Sequence, residues 1–446
     1  MALRLQRAEP VRQEIHLLPF QRRQRLPLRG SADFHGNRRL PLLIAVNEHI
    51  PVPTGRKTPK PRSRWWRLHA WLGLKLSVFL TVILLSGTLA VMGNEIDWLA
   101  DPAMRASPGV RDRASWGTIA ANALAAVPGG HIDLIERGPD PWFATVVVMK
   151  APDGHRRRVL VDPATGRVNR VAGFGGAQRF LRDFHRRLML PVAIGLPIVT
   201  GFAFVLLTSL VSGLVTYKKF WRGFLRRPRW RDWRTASGDL HRLAGLWSLW
   251  FLSLVIATSI WYLVELLGAS APVLLPLDPV LQTDRSQDLA QPVGAALDGL
   301  AHRARERFPD LDIRRIQYPF PGVRAVGFQG AAQSWLTTEK ANSVWIDPST
   351  SQVLLTFEGP ALSAHQRISE MADPLHFGTW GGLASKVVWF LFGSLLTGLA
   401  VTGVIIYATR LRGAWRVAAR GISWWGLAGA ACIAGALLLA PAALMG

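Results

Sequence analysis

Four apolar stretches, Trp71 to Met92, Leu190 to Tyr217, His241 to Leu267 and Lys386 to Tyr407, punctuate this chain. Each is long enough, as a helix rising 1.5 Å per residue, to cross ~30 Å of hydrocarbon. No other feature restricts the fold as strongly. In lipid an apolar run of that length satisfies its own backbone N–H and C=O groups by becoming a helix. A fifth stretch, Ile422 to Ala443, is rich in Ala and Gly and is expected to make a further span with an external C-terminus. Long segments of mixed composition separate the first stretch from the second and the third from the fourth. The expected fold class is therefore a multi-pass α-helical membrane protein. It has a four-helix core and a fifth span, with two small α+β domains outside the bilayer.

The net charge of +24 raises nucleic-acid binding as a class. The arginines gather beside apolar stretches, however, where topology and lipid headgroups account for them, so no nucleic-acid partner is expected. Lys57, Lys60, Arg62, Arg64 and Arg67 precede the first span, and the loop from Lys218 to Arg234 is strongly basic. Both are expected on the cytoplasmic side. Residues 1 to about 64, rich in Arg and Pro and without periodicity, read as a disordered extension. A second reading is a start-site artefact, with translation beginning nearer Arg56. No cleavable signal peptide is recognised, so the first span is expected to serve as an uncleaved anchor. Nineteen tryptophans against four tyrosines fit interfacial anchoring, with Trp65, Trp66, Trp247, Trp250, Trp424 and Trp425 near span ends. The single cysteine, Cys432, leaves no disulfide framework or Cys-based metal site.

The chain repeats itself. Leu68-His69-x-x-x-Gly73-Leu74 opens the first span and Leu240-His241-x-x-x-Gly245-Leu246 opens the third. In the first outside segment Trp116 to Val127 reads as a helix. Trp142 to Met149, Arg158 to Val161 and Arg167 to Val171 read as strands, the last two joined by Asp162-Pro163-Ala164-Thr165-Gly166. The second segment has a helix over Val293 to Arg307 and strands at Ile313 to Tyr318, Arg324 to Phe328 and Ser343 to Ile346. It then echoes the turn with Asp347-Pro348-Ser349-Thr350-Ser351, where Ser351 replaces Gly166. The unit is span, outside domain, span, occurring twice in one orientation, which implies a pseudo-two-fold axis along the membrane normal.

That symmetry selects the candidate site. His69 and His241 open equivalent spans, and His185 and His376 precede equivalent spans at the opposite face, roughly 30 Å away by helix rise. Two histidine pairs at two depths of a bundle suit bis-imidazole ligation of two b-type haems. Arg67, Arg186, Arg187 and Arg242 lie beside these histidines and are of the kind that pairs with haem propionates; snorkelling anchors are the plainer reading. Gly73, Gly87, Gly201, Gly213, Gly245, Gly398 and Gly403 would admit close helices or a flat macrocycle, helix packing being the plainer of the two. His131, His155, His302 and His365 read as surface residues. No G-x-G-x-x-G fingerprint follows a strand, so no nicotinamide or flavin site is expected in the chain and the electron donor is separate.

Over Arg64 to Arg412 the chain resembles the PepSY-associated transmembrane family of bacterial inner-membrane proteins. The likeness rests on the two Leu-His-x-x-x-Gly-Leu motifs, the Asp162-Pro163-x-Thr165-Gly166 turn, and Leu375-His376-Phe377-Gly378 with Gly381-Gly382. It implies PepSY domains in the periplasm and, for the iron-regulated branch, haem-dependent reduction of ferric siderophores, with His69, His241, His185 and His376 as haem ligands. The expected segments are an extension over 1–64, spans at 65–92, 185–217, 241–267 and 380–409, and outside domains at 93–184 and 268–379. Cytoplasmic loops at 218–240 and 410–421 and a last span at 422–446 complete them. The expected function is a di-haem conduit through the lipid bilayer, passing electrons from quinol or a soluble flavoprotein to a periplasmic ferric chelate. The alternatives are a non-enzymatic regulator of a peptidase or envelope partner and an accessory to siderophore uptake.

Overall fold

The computed structural model describes residues 63–108, 113–277 and 291–410, with 429–431, 433–435 and 437–438. The extension expected before residue 63, the loop at 411–421 and most of the fifth span lie outside the described residues.

The first span is two helices, α1 (Arg64–Lys75) and α2 (Ser77–Val91), bent by 68°. Only taken together are they long and apolar enough to cross a bilayer. Three single helices meet that test: Val192–Thr216, Leu249–Ala269 and Gly382–Ile406. The third span thus begins later than His241. The histidine lies on a preceding helix (Trp233–Trp247) that stops at Ser248. The breaks at Leu76 and Ser248 occupy the same place in the two repeats and have nearly the same backbone angles, φ −106°, ψ 7° and φ −88°, ψ 6°. A serine bonds back to the helix at each, Ser77 to Leu74 O and Ser248 to Ala244 O, a habit that bends helices.

Beyond α2 come α3 (Gly93–Ala100) and α4 (Trp116–Ala126), then strands β1 (His131–Glu136), β2 (Thr145–Lys150), β3 (Arg156–Val161) and β4 (Val168–Gly173). Helices α5 (Ala177–Arg187), α6 (Val192–Thr216), α7 (Trp233–Trp247) and α8 (Leu249–Val264, continued by a π turn to Ala269) follow. The second repeat then gives α9 (Gly294–Arg307), β5 (Asp312–Gln317), β6 (Val326–Ala331), β7 (Ser343–Ile346) and β8 (Val353–Phe357). The described chain ends with α10 (Ala364–Phe377) and α11 (Gly382–Arg410).

The two outside domains form one eight-stranded antiparallel sheet in the order β4-β3-β2-β1-β5-β6-β7-β8. Strand β1, absent from the sequence reading, is the seam. It pairs with β5 through Leu134–Gln317, Ile135–Ile316 and Glu136–Arg315. It is hard to see in sequence because it does not alternate: a bulge between Ile132 and Leu134 turns both Ile132 and Ile135 into the core. Strand β5 repeats the device, with a bulge between Ile313 and Arg315 and with Ile313 and Ile316 buried. Helices α4 and α9 cover one face and share one core with the sheet, built on Trp116, Ile119, Ile132, Ile135, Leu297, Ile313, Ile316 and Phe328. They approach closely where Asp298 of α9 accepts the Gly117 backbone N–H of α4 at 2.8 Å.

The echoed turns have the same build. Gly166 N bonds Asp162 O and Ser351 N bonds Asp347 O, at φ +72° and +55°. Ser351 therefore keeps the left-handed geometry that Gly166 adopts freely, at a cost of about 1 kcal/mol. In the bundle α1 packs on α6, α6 on α8, α7 on α11 and α11 on α2, which closes a ring of helices. The sheet continues from one end of that ring.

Candidate functional site

The structure brings the four predicted histidines together as two pairs, each drawing one ring from each repeat. His69 on α1 and His241 on α7 lie with ring centres 6.4 Å apart and planes at 74°. His185 on α5 and His376 on α10 lie 6.2 Å apart, planes at 33°. The two pairs stand at different depths: His241 Nδ1 contacts Thr402 toward the end of α11, whereas Trp389, toward its start, donates to the carbonyl of Leu375, beside His376.

Every ring is gripped through Nδ1. His69 Nδ1 lies 3.0 Å from Ser209 O on α6, and His185 Nδ1 lies 2.9 Å from Ile83 O on α2. His241 Nδ1 lies 3.0 Å from Thr402 Oγ1 on α11, and His376 Nδ1 lies 2.8 Å from Thr258 Oγ1 on α8. Each histidine thus pairs across the repeats while the other span of its own repeat holds it. A carbonyl can only accept, so His69 and His185 donate through Nδ1–H and keep the Nε2 lone pair for another partner. No hydrogen bond to Nε2 of these four rings occurs among the described residues.

The sequence reading missed these partners, although it contains a signal for them. A hydroxyl residue followed by glycine is embedded in three apolar runs, as Ser86-Gly87, Ser212-Gly213 and Thr402-Gly403. Each faces a ring. A Cβ at Gly87 would come within 2.6 Å of His185 Cε1, and Cβ atoms at Gly213 and Gly403 would lie 3.3 and 3.6 Å from Cε1 of His69 and His241. The fourth position is Thr258-Ser259, without glycine. At Gly73, Gly201 and Gly398 a Cβ would meet nothing within 4 Å. Gly398 lines a largely apolar cavity of about 250 Å³ between α7 and α11, together with Leu240, Ala244, Trp247 and Thr402.

Buried carboxylates fix the helices that carry the rings. Asp97 accepts the Ala177 and Gln178 N–H groups and so caps α5. Asp183, two residues before His185, is clamped by Arg187 at 2.9 Å; Asp239, two residues before His241, is clamped by Arg229 at 2.9 Å and by Arg242. Arg187 and Arg242, predicted to face a cofactor, are therefore committed to carboxylates. Arg67 and Arg186 are exposed and form no ion pair among the described residues. Chain reversal after His185 uses two left-handed residues, Leu188 (φ 52°) and Met189 (φ 57°), both buried; after His376 it uses Gly378 (φ 69°). Lys386 of α11 reaches Glu95 of α3 in a buried ion pair that ties the repeats at the sheet end of the bundle.

Among the other histidines, His155 and His302 are exposed, and His365 is held by Ala269 O at 2.9 Å. His131 contacts Gln291 at 2.9 Å. Trp250 belongs to an aromatic group with Phe251, Trp389 and Phe392, while Trp65 and Trp247 are half exposed at helix ends; Trp424 and Trp425 lie outside the described residues. No group of three or more His, Cys, Asp or Glu side chains suited to a metal occurs among the described residues. The histidines form separate pairs instead. Two metal–imidazole bonds of roughly 2.0–2.1 Å, with about 1.2 Å from each ring centre to its nitrogen, bring two ring centres to about 6.4–6.6 Å. The observed separations of 6.4 and 6.2 Å lie at and just under that distance.

Three helices long and apolar enough to span a bilayer, a fourth if the bent pair is one span, and an antiparallel sheet beside them point to a membrane protein. Residues 66–410 match the family model described as "PepSY-associated TM region", and the chain belongs to that family. No curated protein matches it.

Proposed function

We propose that the chain is a membrane electron conduit that holds two b-type haems, one between His69 and His241 and one between His185 and His376. The observation that carries this reading is the pairing of the rings across the repeats, with every Nδ1 already engaged. Bound haem would supply one-electron chemistry that these side chains lack. The residues themselves ligate, orient and exclude water. Nδ1 contacts hold each ring against rotation, glycines at 87, 213 and 403 let the rings lie against neighbouring helices, and apolar spans keep the path dry. Arg67 and Arg186 are the arginines available to haem propionates.

The strongly basic loop between α6 and α7 supports a cytoplasmic position for the His69–His241 end of a protein of the bacterial inner membrane, with the sheet in the periplasm. The acceptor is then periplasmic, and we assign it as ferric iron in a siderophore, whose hard oxygen donors hold the reduced ion less tightly. The donor is a separate quinol or soluble flavoprotein.

An absorbance spectrum of protein expressed with ample haem tests this. Bands of b-type haem at two per chain are expected; their absence would sink the conduit in favour of a non-enzymatic regulator or an uptake accessory. Where haem is bound, His69→Leu or His241→Leu should halve the content and leave the other haem spectrally intact. Loss of neither haem, or of both together without misfolding, argues against the pairing.

A further inference from the structure

The four Nδ1 contacts are not equivalent. In the first repeat each Nδ1 lies nearest a backbone carbonyl with a serine hydroxyl beside it, Ser209 O (3.0 Å) and Ser212 Oγ (3.2 Å) at His69, Ile83 O (2.9 Å) and Ser86 Oγ (3.5 Å) at His185; in the second it lies nearest the hydroxyls of Thr402 and Thr258, with the Leu399 carbonyl a further partner of His241. Both threonines already give their protons to their own helices, Thr402 to Gly398 O at 2.7 Å and Thr258 to Leu254 O at 3.0 Å. A hydroxyl whose proton is so placed accepts, and the imidazole must donate. Thr258 is buried and supplies the hydrogen bond to His376 Nδ1. Among the described residues His376 is the ring whose Nδ1 contact is a hydroxyl alone.

A partner that pulls on Nδ1–H makes the imidazole more basic at Nε2 and fixes its tautomer and orientation. An amide carbonyl pulls harder than a hydroxyl. Stronger donation favours ferric over ferrous iron and lowers the reduction potential, because hydrogen bonding around the ligand is one of the protein's levers on a metal. We propose that Thr258 and Thr402 are positioning residues that lock His376 and His241 with Nε2 free and set the donor strength of those two ligands. This rests on the haem reading above and goes beyond it by assigning residues that tune each haem separately.

The test is a spectrally monitored redox titration of the haem-loaded full chain. The unsubstituted protein is read first: no haem there removes the function reading itself, whereas two haems leave only the threonines in question. Thr258→Val, close in shape but without an acceptor, should raise the midpoint potential of the His185–His376 haem and leave the other unmoved. Thr258→Ser should restore the original value. Thr402→Val, at a ring that the Leu399 carbonyl also holds, should raise the potential of the His69–His241 haem by less and leave the other unmoved. Loss of only the outer haem in Thr258→Val, with retention in Thr258→Ser, also supports the proposal. A fully loaded Thr258→Val protein with unshifted potentials overturns it, and so does a serine variant that behaves as the valine one. If Thr258→Val does not fold, Thr402→Val and Thr402→Ser give the same decision at the other haem.

Discussion

Gly87 has no room for a methyl group: its Cβ would stand 2.6 Å from His185 Cε1. Gly87→Ala must therefore push the imidazole or the helix aside, at a cost of about 1–3 kcal/mol for overpacking. The expected outcome is a lower Tm and loss of the haem at His185–His376 with the other retained, read by haem stoichiometry; full loading would refute the ring's placement. Gly213, 3.3 Å from His69, should show the same effect more weakly. A second residue-scale prediction concerns Glu339, in the turn between β6 and β7. Burial, with Glu136 adding to it, pushes its carboxyl up to about 7 from the ordinary 4.5, against Arg314 and Arg315. A raised folded value means the protonated form is favoured on folding. That contribution is complete below about 4.5 and fades as pH rises through about 7. Thermal unfolding between pH 4 and 8 should show this decline, and Glu339→Gln should flatten it. The histidines were legible as residues because ionisable groups at span mouths are rare. Their hydroxyl-glycine partners were not, because serine, threonine and glycine in an apolar run also serve ordinary helix packing.

Elements explain where the rings stand. The apolar runs predicted spans, but not that Leu76 and Ser248 would break the helices after His69 and His241. Each break does follow a glycine in the preceding turn, Gly73 and Gly245, but glycines in an apolar run also serve ordinary helix packing, and serine back-bonding leaves a fainter trace. The ion pair of Lys386 with Glu95, from elements distant in sequence, was equally invisible. It is buried, so removing one partner strands the other: Lys386→Met or Glu95→Gln alone should cost about 3–5 kcal/mol, while the double variant should recover most of that. A double-mutant cycle in detergent-solubilised protein measures it, and additive losses would show that the two groups do not interact.

At the scale of the molecule the decisive fact is the seam between β1 and β5. Because it makes one sheet of two domains over one core, the halves should unfold together. Hydrogen exchange should find the amides of Ile135 and Ile316, at the centre of the seam, exchanging at the same slow rate as those of Val147 and Phe328. Separate rates for the two repeats would show that the halves open independently. Closure of the helix ring beneath the sheet is what sets the first-repeat histidines opposite those of the second.

The sequence by itself determined the membrane class, the repeat and the identity of the paired histidines. Apolar length and recurring motifs are local properties, and a two-fold repeat dictates which positions can meet. Tertiary structure alone decided which groups grip each Nδ1, which arginines are already spent on Asp183 and Asp239, and that two domains share one sheet. Each of those depends on atoms distant in sequence coming within about 3 Å of each other, and packing of the whole chain sets such distances.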